Sequence, residues 1–345
     1  SISKIIFDDM ISINTDLKEI YRIMEGKKML ITGGGGFIGA YFLDFIHYCN
    51  TNVFSNPTKV LCIENYKTCS PDRIKHLIND ENFIFLDIDI SKPFEIEGDI
   101  DYVVHTASIA SPTFYRKYPI ETIEANVWGL KNLLDLSKTK KVKSILFFST
   151  SEIYGNTSPE NIPTAETYNG NVSCTGPRAC YDESKRLGET LCVNYFKQYG
   201  LPVKIVRPFN IYGPGLRIND KRVIPDFFND AINHRIIKIL SDGSPTRSFC
   251  YISDAICGFI RVLLLDHNGE SFNIGNDEAE ISMYELAEKI AKVVGNVTIS
   301  FSKSNDPDYL TDNPQRRCPD LSKARKLINY TSHVTIDEGL QKLME

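Results

Sequence analysis

Short runs of apolar residues alternate along this chain with stretches whose apolar positions recur every three or four residues. The runs are MLIT (29–32), VLCIE (60–64), FIFLDI (83–88), YVVHTA (102–107), SILFFST (144–150) and VKIVRPFN (203–210). They are rich in Val, Ile, Leu and Phe without polar alternation, the pattern of strands buried on both faces in a parallel sheet. Segments 37–49, 119–140 and 182–200 carry helical spacing between them. Strand–helix repetition of this kind predicts an α/β fold, a Rossmann-type doubly wound parallel sheet. The order weakens after residue 210, where Gly, Pro and charged residues cluster. Three parts are expected. A helical extension over 1–26 has Leu17, Ile20, Ile23 and Met24 at helical spacing, docked on the body or on a second subunit. A Rossmann domain covers 27–210 with contributions from 249–275. A smaller C-terminal α/β lobe, mainly 211–345, closes on the carboxyl edge of the sheet.

Hydrophobic residues at 42% and charged residues at 24% of 345 support a sizeable core and argue against disorder. A net charge of −5 provides no basic field, so no nucleic acid or anionic membrane is expected as a partner, and an anionic ligand must be held by local groups. No apolar run approaches the roughly 20 residues of a membrane span, and the start SISKIIFDDM lacks a secretory pattern, so a cytoplasmic location is expected. The nine cysteines show no C-x-x-C pair and no zinc-like spacing with His. They read as reduced packing residues, with no metal.

The run ITGGGGFIG sets Gly33, Gly36 and Gly39 in a G-x-x-G-x-x-G spacing between the first strand and a helix opening near Phe37 and Ile38. Glycine suits a tight turn whose backbone approaches a pyrophosphate at a helix N-terminus, so the loop points to a dinucleotide. The next strand ends in Glu64, placed to accept hydrogen bonds from the adenosine ribose hydroxyls. A 2′-phosphate would meet that carboxylate with no adjacent arginine, so NAD is expected over NADP. Asp87 and Ile88, at the end of the third strand, are expected to flank the adenine.

In ACYDESKR, Tyr181 and Lys185 stand four apart at the start of a helix and project from one face. A phenol of pKa near 10 is a poor base, and a neighbouring ammonium is expected to bring it toward working range. The strand SILFFST delivers Thr150 to the sheet edge where ligands bind, completing a hydroxyl-oxidising set with NAD as acceptor.

At this point the chain resembles the extended short-chain dehydrogenase/reductase enzymes that act on nucleotide sugars. The likeness runs from about Lys28 to about Leu327 and rests on ITGGGGFIG, VVHTAS, ANVWGLKNLL, FFSTSEIYG, YDESK, RPFNIYGP, DGSPTRSFCYISD and DNPQRRCPDLSKA. Within that superfamily it is most similar to the UDP-glucuronate decarboxylases. The resemblance implies oxidation at the sugar's C4, loss of the C6 carboxylate as carbon dioxide, and re-reduction at C4. It implies Tyr181 as the C4 base, Lys185 as its partner and holder of the nicotinamide ribose, and Thr150 as the group orienting the C4 oxygen. Ser151 and Glu152 would face C5 and C6. Thr106, Ala107, Ser108, Asn126 and Pro208 join the expected cofactor residues. Ser111, Tyr115, Asn210, Arg222, Val223, Arg247 and Arg317 are the expected nucleotide-sugar residues, with the arginines on the phosphates. Relatives pair through helices equivalent to 119–140 and 182–200, which implies a homodimer.

Two positions depart from the decarboxylase pattern: Gly215 stands where an arginine is usual, and Ser184 where a glycine is usual. The alternatives are an NDP-hexose 4,6-dehydratase, an NDP-sugar 4-epimerase or a 4-ketosugar reductase, and, from another class, a non-catalytic NAD-binding sensor. Dehydratases usually present adjacent Asp and Glu where this chain has Ser151 and Glu152, and a sensor would typically have lost Tyr181 or Lys185.

Overall fold

The computed structural model describes residues 3–344 apart from 19, 68 and 279. The six apolar runs form strands β1 (Lys28–Thr32), β2 (Lys59–Glu64), β3 (Phe83–Asp87), β4 (Tyr102–His105), β5 (Ser144–Phe148) and β6 (Val203–Pro208). With an edge strand Ser271–Ile274 beside β6, they make a seven-stranded sheet in the order edge, β6, β5, β4, β1, β2, β3. Every pairing in it is parallel. Strand order reverses between β1 and β4, which opens a crevice at their carboxyl ends.

Both faces are covered, as the lack of polar alternation requires. On one face the helices Phe37–Asn52 and Ile252–Leu264 pack Phe42 and Phe259 against Phe148, with the Phe148 and Phe259 ring centroids 4.7 Å apart. On the other, Leu130, Leu133, Leu134 and Cys192 from helices Leu130–Lys140 and Ala179–Tyr199 cover Ile145, Phe147 and Val203. Each such side chain contributes roughly 1.5–3 kcal/mol by leaving water. Gly188 belongs to this packing, since a Cβ there would lie 2.6 Å from the Phe147 ring.

The N-terminal helix starts earlier than its spacing predicts. It runs Lys4–Leu17, capped by the Ser3 hydroxyl on the Ile6 amide, and Ile20–Met24 is a separate 3₁₀ turn in which Ile23 is exposed. Its buried stripe of Ile6, Met10, Ile13 and Leu17 docks on the body of the same chain. Asp9 on that stripe accepts hydrogen bonds from the hydroxyls of Tyr41 (3.1 Å) and Tyr251 (2.9 Å). The expected helix 119–140 is three pieces, Pro119–Ile123, a π turn Glu124–Gly129 and Leu130–Lys140, with Asn126 turned into the interior.

Beyond β6, helices Val223–His234 and Met283–Val294 pack on a parallel strand pair, Ile236–Ile239 with Thr298–Phe301. A three-stranded patch sets Thr246–Ser248 between Glu280–Ser282 and Arg316–Arg317. Arg247 and Arg317 are register partners there, so segments far apart in sequence deliver two guanidiniums to one place.

Candidate active site

The glycine loop leaves β1 through Gly33, whose φ of +77° lies in the left-handed region and whose Cβ, if present, would be 2.7 Å from the Ala107 amide. Gly39 sits under the turn, where a Cβ would lie 2.2 Å from the Gly33 carbonyl. Gly36 caps the helix Phe37–Asn52 with no side chain on its orphan amides, which leaves them available to a phosphate. The Glu64 carboxylate, at the end of β2, accepts from the amides of Gly35 (3.0 Å) and Asn65 (3.0 Å).

A crevice opens over this loop. Of the expected cofactor residues, Gly33, Gly36, Glu64, Ile88, Thr106, Ala107 and Ser108 line it. Phe37, Ile38 and Gly39 form the first turn of the helix beneath. Asn126 lies behind Ser108, accepting from its hydroxyl at 2.7 Å. Asp87 is exposed and is not among the lining residues; Asp89, two residues on, is. Pro208, at the end of β6 and paired with Ile274, also lies outside this lining. Asn65, Lys67 and Cys69 line the crevice without having been read from the sequence, because they sit on an irregular loop with no periodicity to mark them. The residues present fit a dinucleotide with a free 2′-hydroxyl.

Thr150, at the turn after β5, accepts the Glu152 amide at 3.2 Å and forms a side-chain hydrogen bond with Tyr181. Lys185 lies one helical turn beyond Tyr181, with its Nζ 5.8 Å from the Tyr181 ring centroid. It donates to the Phe148 carbonyl at 2.7 Å. Burial pushes the Tyr181 phenol above its ordinary range and pushes Lys185 down to about 7, and the Thr150 hydroxyl is the neighbouring group that most favours the phenolate. Ser184, the departure from the pattern, accepts from Asn126 Nδ2 at 2.9 Å and donates to the Tyr181 carbonyl at 3.0 Å, so it braces the turn that carries the tyrosine.

Beside Tyr181 lies a cluster of arginines. Glu152 Oε2 is 2.5 Å from Arg178 NH2 and 3.4 Å from Arg317 NH2. Arg317 also donates to the carbonyls of Ser151 and Gly155. Burial alone would raise the Glu152 pKa, but Arg317, Arg178 and Arg247 together hold it down at about 2. Arg247 donates to the Thr246 carbonyl (2.7 Å) and to Asn313 Oδ1 (3.0 Å), which are neutral groups; burial and the neighbouring Arg317 bring it down to about 10. Three guanidiniums thus meet one ionised carboxylate, and the surplus positive charge suits an anion. Arg317 shares one cluster with Arg178 and Arg247 around Glu152. Arg178 was missed from the sequence, since an arginine ahead of YDESK carries no spacing signal of its own.

The Arg222 guanidinium, which also acts on the Tyr181 phenol, pairs with the Asp220 carboxylate, Ser111 donates to the Asp220 carbonyl at 2.7 Å, and Val223 opens the following helix. Asn210, at φ +46°, donates to the Ser248 carbonyl at 3.1 Å. Tyr115 stacks on Tyr181, ring centroids 4.9 Å apart and planes within 4°. At the other departure, a Cβ on Gly215 would lie 2.9 Å from Arg73 Nε, so an arginine from another segment fills that space. Among the described residues no group of three or more His, Cys, Asp or Glu could hold a metal, and no helix is long and apolar enough to cross a membrane.

Residues 29–275 match the family described as the NAD dependent epimerase/dehydratase family. The chain is 38% identical over 318 residues to UDP-glucuronic acid decarboxylase 6 of Arabidopsis thaliana, covering 92% of this chain and 88% of that one. It is 38% identical over 320 residues to UDP-glucuronic acid decarboxylase 1 of Xenopus tropicalis, covering 92% and 71%. Among solved structures it is similar to a UDP-glucuronic acid 4-epimerase from Bacillus cereus in complex with UDP-glucuronic acid and NAD (TM-score 0.76, 26% identity, 91% and 97% covered). A dTDP-glucose 4,6-dehydratase from Streptomyces venezuelae shares the fold at TM-score 0.80 and 23% identity, with 92% and 95% covered.

Proposed function

The chain belongs to the NAD dependent epimerase/dehydratase family, and from that premise we propose that it decarboxylates a nucleotide-linked glucuronate through oxidation at C4. NAD is its cofactor; bound in the crevice over Gly33 and Gly36, it supplies a reversible two-electron acceptor for the sugar's C4. In this reading the Tyr181 hydroxyl takes the C4 proton and Thr150 orients the same oxygen. Lys185 anchors the helix turn to β5 and offers its remaining hydrogens to the cofactor ribose. Residues 27–210 with 249–275 carry the cofactor, and the remainder of the C-terminal part carries the sugar nucleotide.

One observation carries the choice of reaction: Glu152 is held ionised between Arg178 and Arg317. Dehydration needs a base at C5 and an acid for the departing C6 hydroxyl. A carboxylate with a pKa of about 2 is a poor base, and its neighbour Ser151 is no acid. Decarboxylation of a β-keto acid needs neither. It needs the C6 carboxylate and the diphosphate to be held, and the surplus of guanidinium charge suits that task. Asn210, Arg222 and Arg247 are assigned to the nucleotide and its phosphates, with Ser111 and Val223 shaping the same wall.

A homodimer belongs to the same proposal, supported by Ile120, Trp128 and Leu187, which stand exposed on neighbouring helices. So does a cytoplasmic location, supported by nine cysteines that are all free. The test is to incubate the protein and NAD with UDP-glucuronate and, separately, with dTDP-glucose, and to weigh the products. Loss of carbon dioxide from the first is expected. Loss of water from the second, or a UDP-glucuronate product of unchanged mass and altered C4 configuration, would replace this reading with dehydration or epimerisation.

A further inference from the structure

The decarboxylation proposed above consumes one proton at C5, and none of the groups so far given a role is placed to supply it. Tyr181 and Thr150 serve the C4 oxygen, and Glu152 has no proton to give. Lys185 is turned to the Phe148 carbonyl. Two buried acids near them have no part in the C4 oxidation. One is Asp182, whose carboxyl burial and Glu152 push up to about 8 and which lies 4.0 Å from Arg178 Nε. The other is Tyr115, expected from the sequence only as a nucleotide-sugar contact and the one stacked on the Tyr181 ring. Tyr115, on the helix Pro112–Lys117, is 1% exposed, and its hydroxyl has no hydrogen-bond partner, which is a costly state for a buried polar group. Its ring lies parallel to that of Tyr181, with ring centroids 4.9 Å apart. The charged and titratable groups that act on it are Arg178, Glu152, Asp182 and Tyr181. Burial keeps the phenol protonated, while Arg178 is the neighbour that favours its phenolate.

We propose that Tyr115 is the catalytic acid that protonates C5 after carbon dioxide leaves, with Arg178 stabilising the phenolate it becomes. This rests on the decarboxylase reading. The C5–C6 bond breaks, C6 departs as carbon dioxide, and the bonding pair stays on the sugar as the C4–C5 enolate. That pair then forms a C5–H bond with the Tyr115 proton, leaving a phenolate beside the Arg178 guanidinium. Water returns the proton to the phenolate, so the sum is one carboxylate and one proton in, one C–H bond and one carbon dioxide out. The unpartnered hydroxyl is explained by this role, because a donor tied to a protein acceptor would not be free for a carbon that appears only during the reaction.

The experiment compares the wild-type enzyme with Tyr115→Phe on UDP-glucuronate and NAD in heavy water. The variant removes an oxygen that makes no hydrogen bond, and melting and NAD-quenched fluorescence check that it folds and loads. The wild-type enzyme should place one deuteron on one face of C5. Tyr115→Phe should still release carbon dioxide and build up NADH, form final product about 10²–10⁴-fold more slowly, and deuterate C5 on both faces. Two results would overturn the proposal. One is single-faced deuteration at the wild-type rate, and the other is loss of NADH formation together with product, which would make Tyr115 only a support for Tyr181. Absence of carbon dioxide from the wild-type enzyme would instead sink the decarboxylase reading itself.

Discussion

At the scale of single residues, the site is governed by what burial does to charge. Burial keeps the Tyr181 phenol protonated, the Thr150 hydroxyl is the neighbour that most favours its phenolate, and Lys185, one helical turn on, donates to a carbonyl of β5. Glu152 shows the opposite case, a carboxylate kept charged by guanidiniums. Its folded pKa of about 2 lies below the ordinary 4.5, so its contribution to stability is complete above pH 4.5 and is lost as pH falls through 2. Glu152→Gln should therefore destabilise the protein at neutral pH, and the gap to wild type in urea-melt midpoints should close as pH is lowered from 5 toward the acid limit. A gap independent of pH would show that the arginines do not hold this group. Tyr181 and Lys185 were legible because a short spacing on one helix face encodes them. Arg178, Arg317 and the unpartnered Tyr115 hydroxyl gain meaning only from neighbours distant in sequence.

At the scale of elements, the glycine loop was readable because its constraint is steric and local. Gly33 combines a left-handed backbone with contact to the Ala107 backbone, and neither tolerates a side chain. Gly33→Ala should cost at least about 1–2 kcal/mol from the backbone conformation alone, lower the melting temperature, and weaken NAD binding by roughly tenfold or more. Unchanged NAD titration and melting curves would contradict the turn described here. The strands were legible for an equally plain reason, since two-sided burial leaves runs such as SILFFST with no polar residue to interrupt them. The N-terminal helix was misplaced because apolar residues from Leu17 to Met24 also satisfy a helical period. The chain instead breaks after Leu17, at Lys18 with φ 52°, and its buried stripe carries Asp9, which reads as polar until the Tyr41 and Tyr251 hydroxyls are seen to bind it.

At the scale of the whole molecule, a chain of net negative charge gathers Arg178, Arg247 and Arg317 into one place, and that concentration is invisible to composition. It takes β5, the start of the helix Ala179–Tyr199 and the three-stranded patch to assemble it, which is why the fold was readable from the sequence and the electrostatics of the site were not. The exposed Trp128 and Leu187 belong to this scale as well. If these helices pair two chains, Trp128→Arg with Leu187→Arg should convert a dimer to monomer in light scattering while leaving the melting profile cooperative. A wild-type mass of one chain would contradict the pairing. At the centre stands a sugar oxidised at C4 by NAD, with a phenol as base, and a guanidinium cluster that holds the carboxylate it loses as carbon dioxide. The most direct measurement is to supply UDP-glucuronate labelled at C6 with heavy carbon and follow the gas above the reaction. The account predicts labelled carbon dioxide in step with pentose product, no lasting gain of NADH, and neither gas nor product from Tyr181→Phe; label retained in the sugar nucleotide would contradict it.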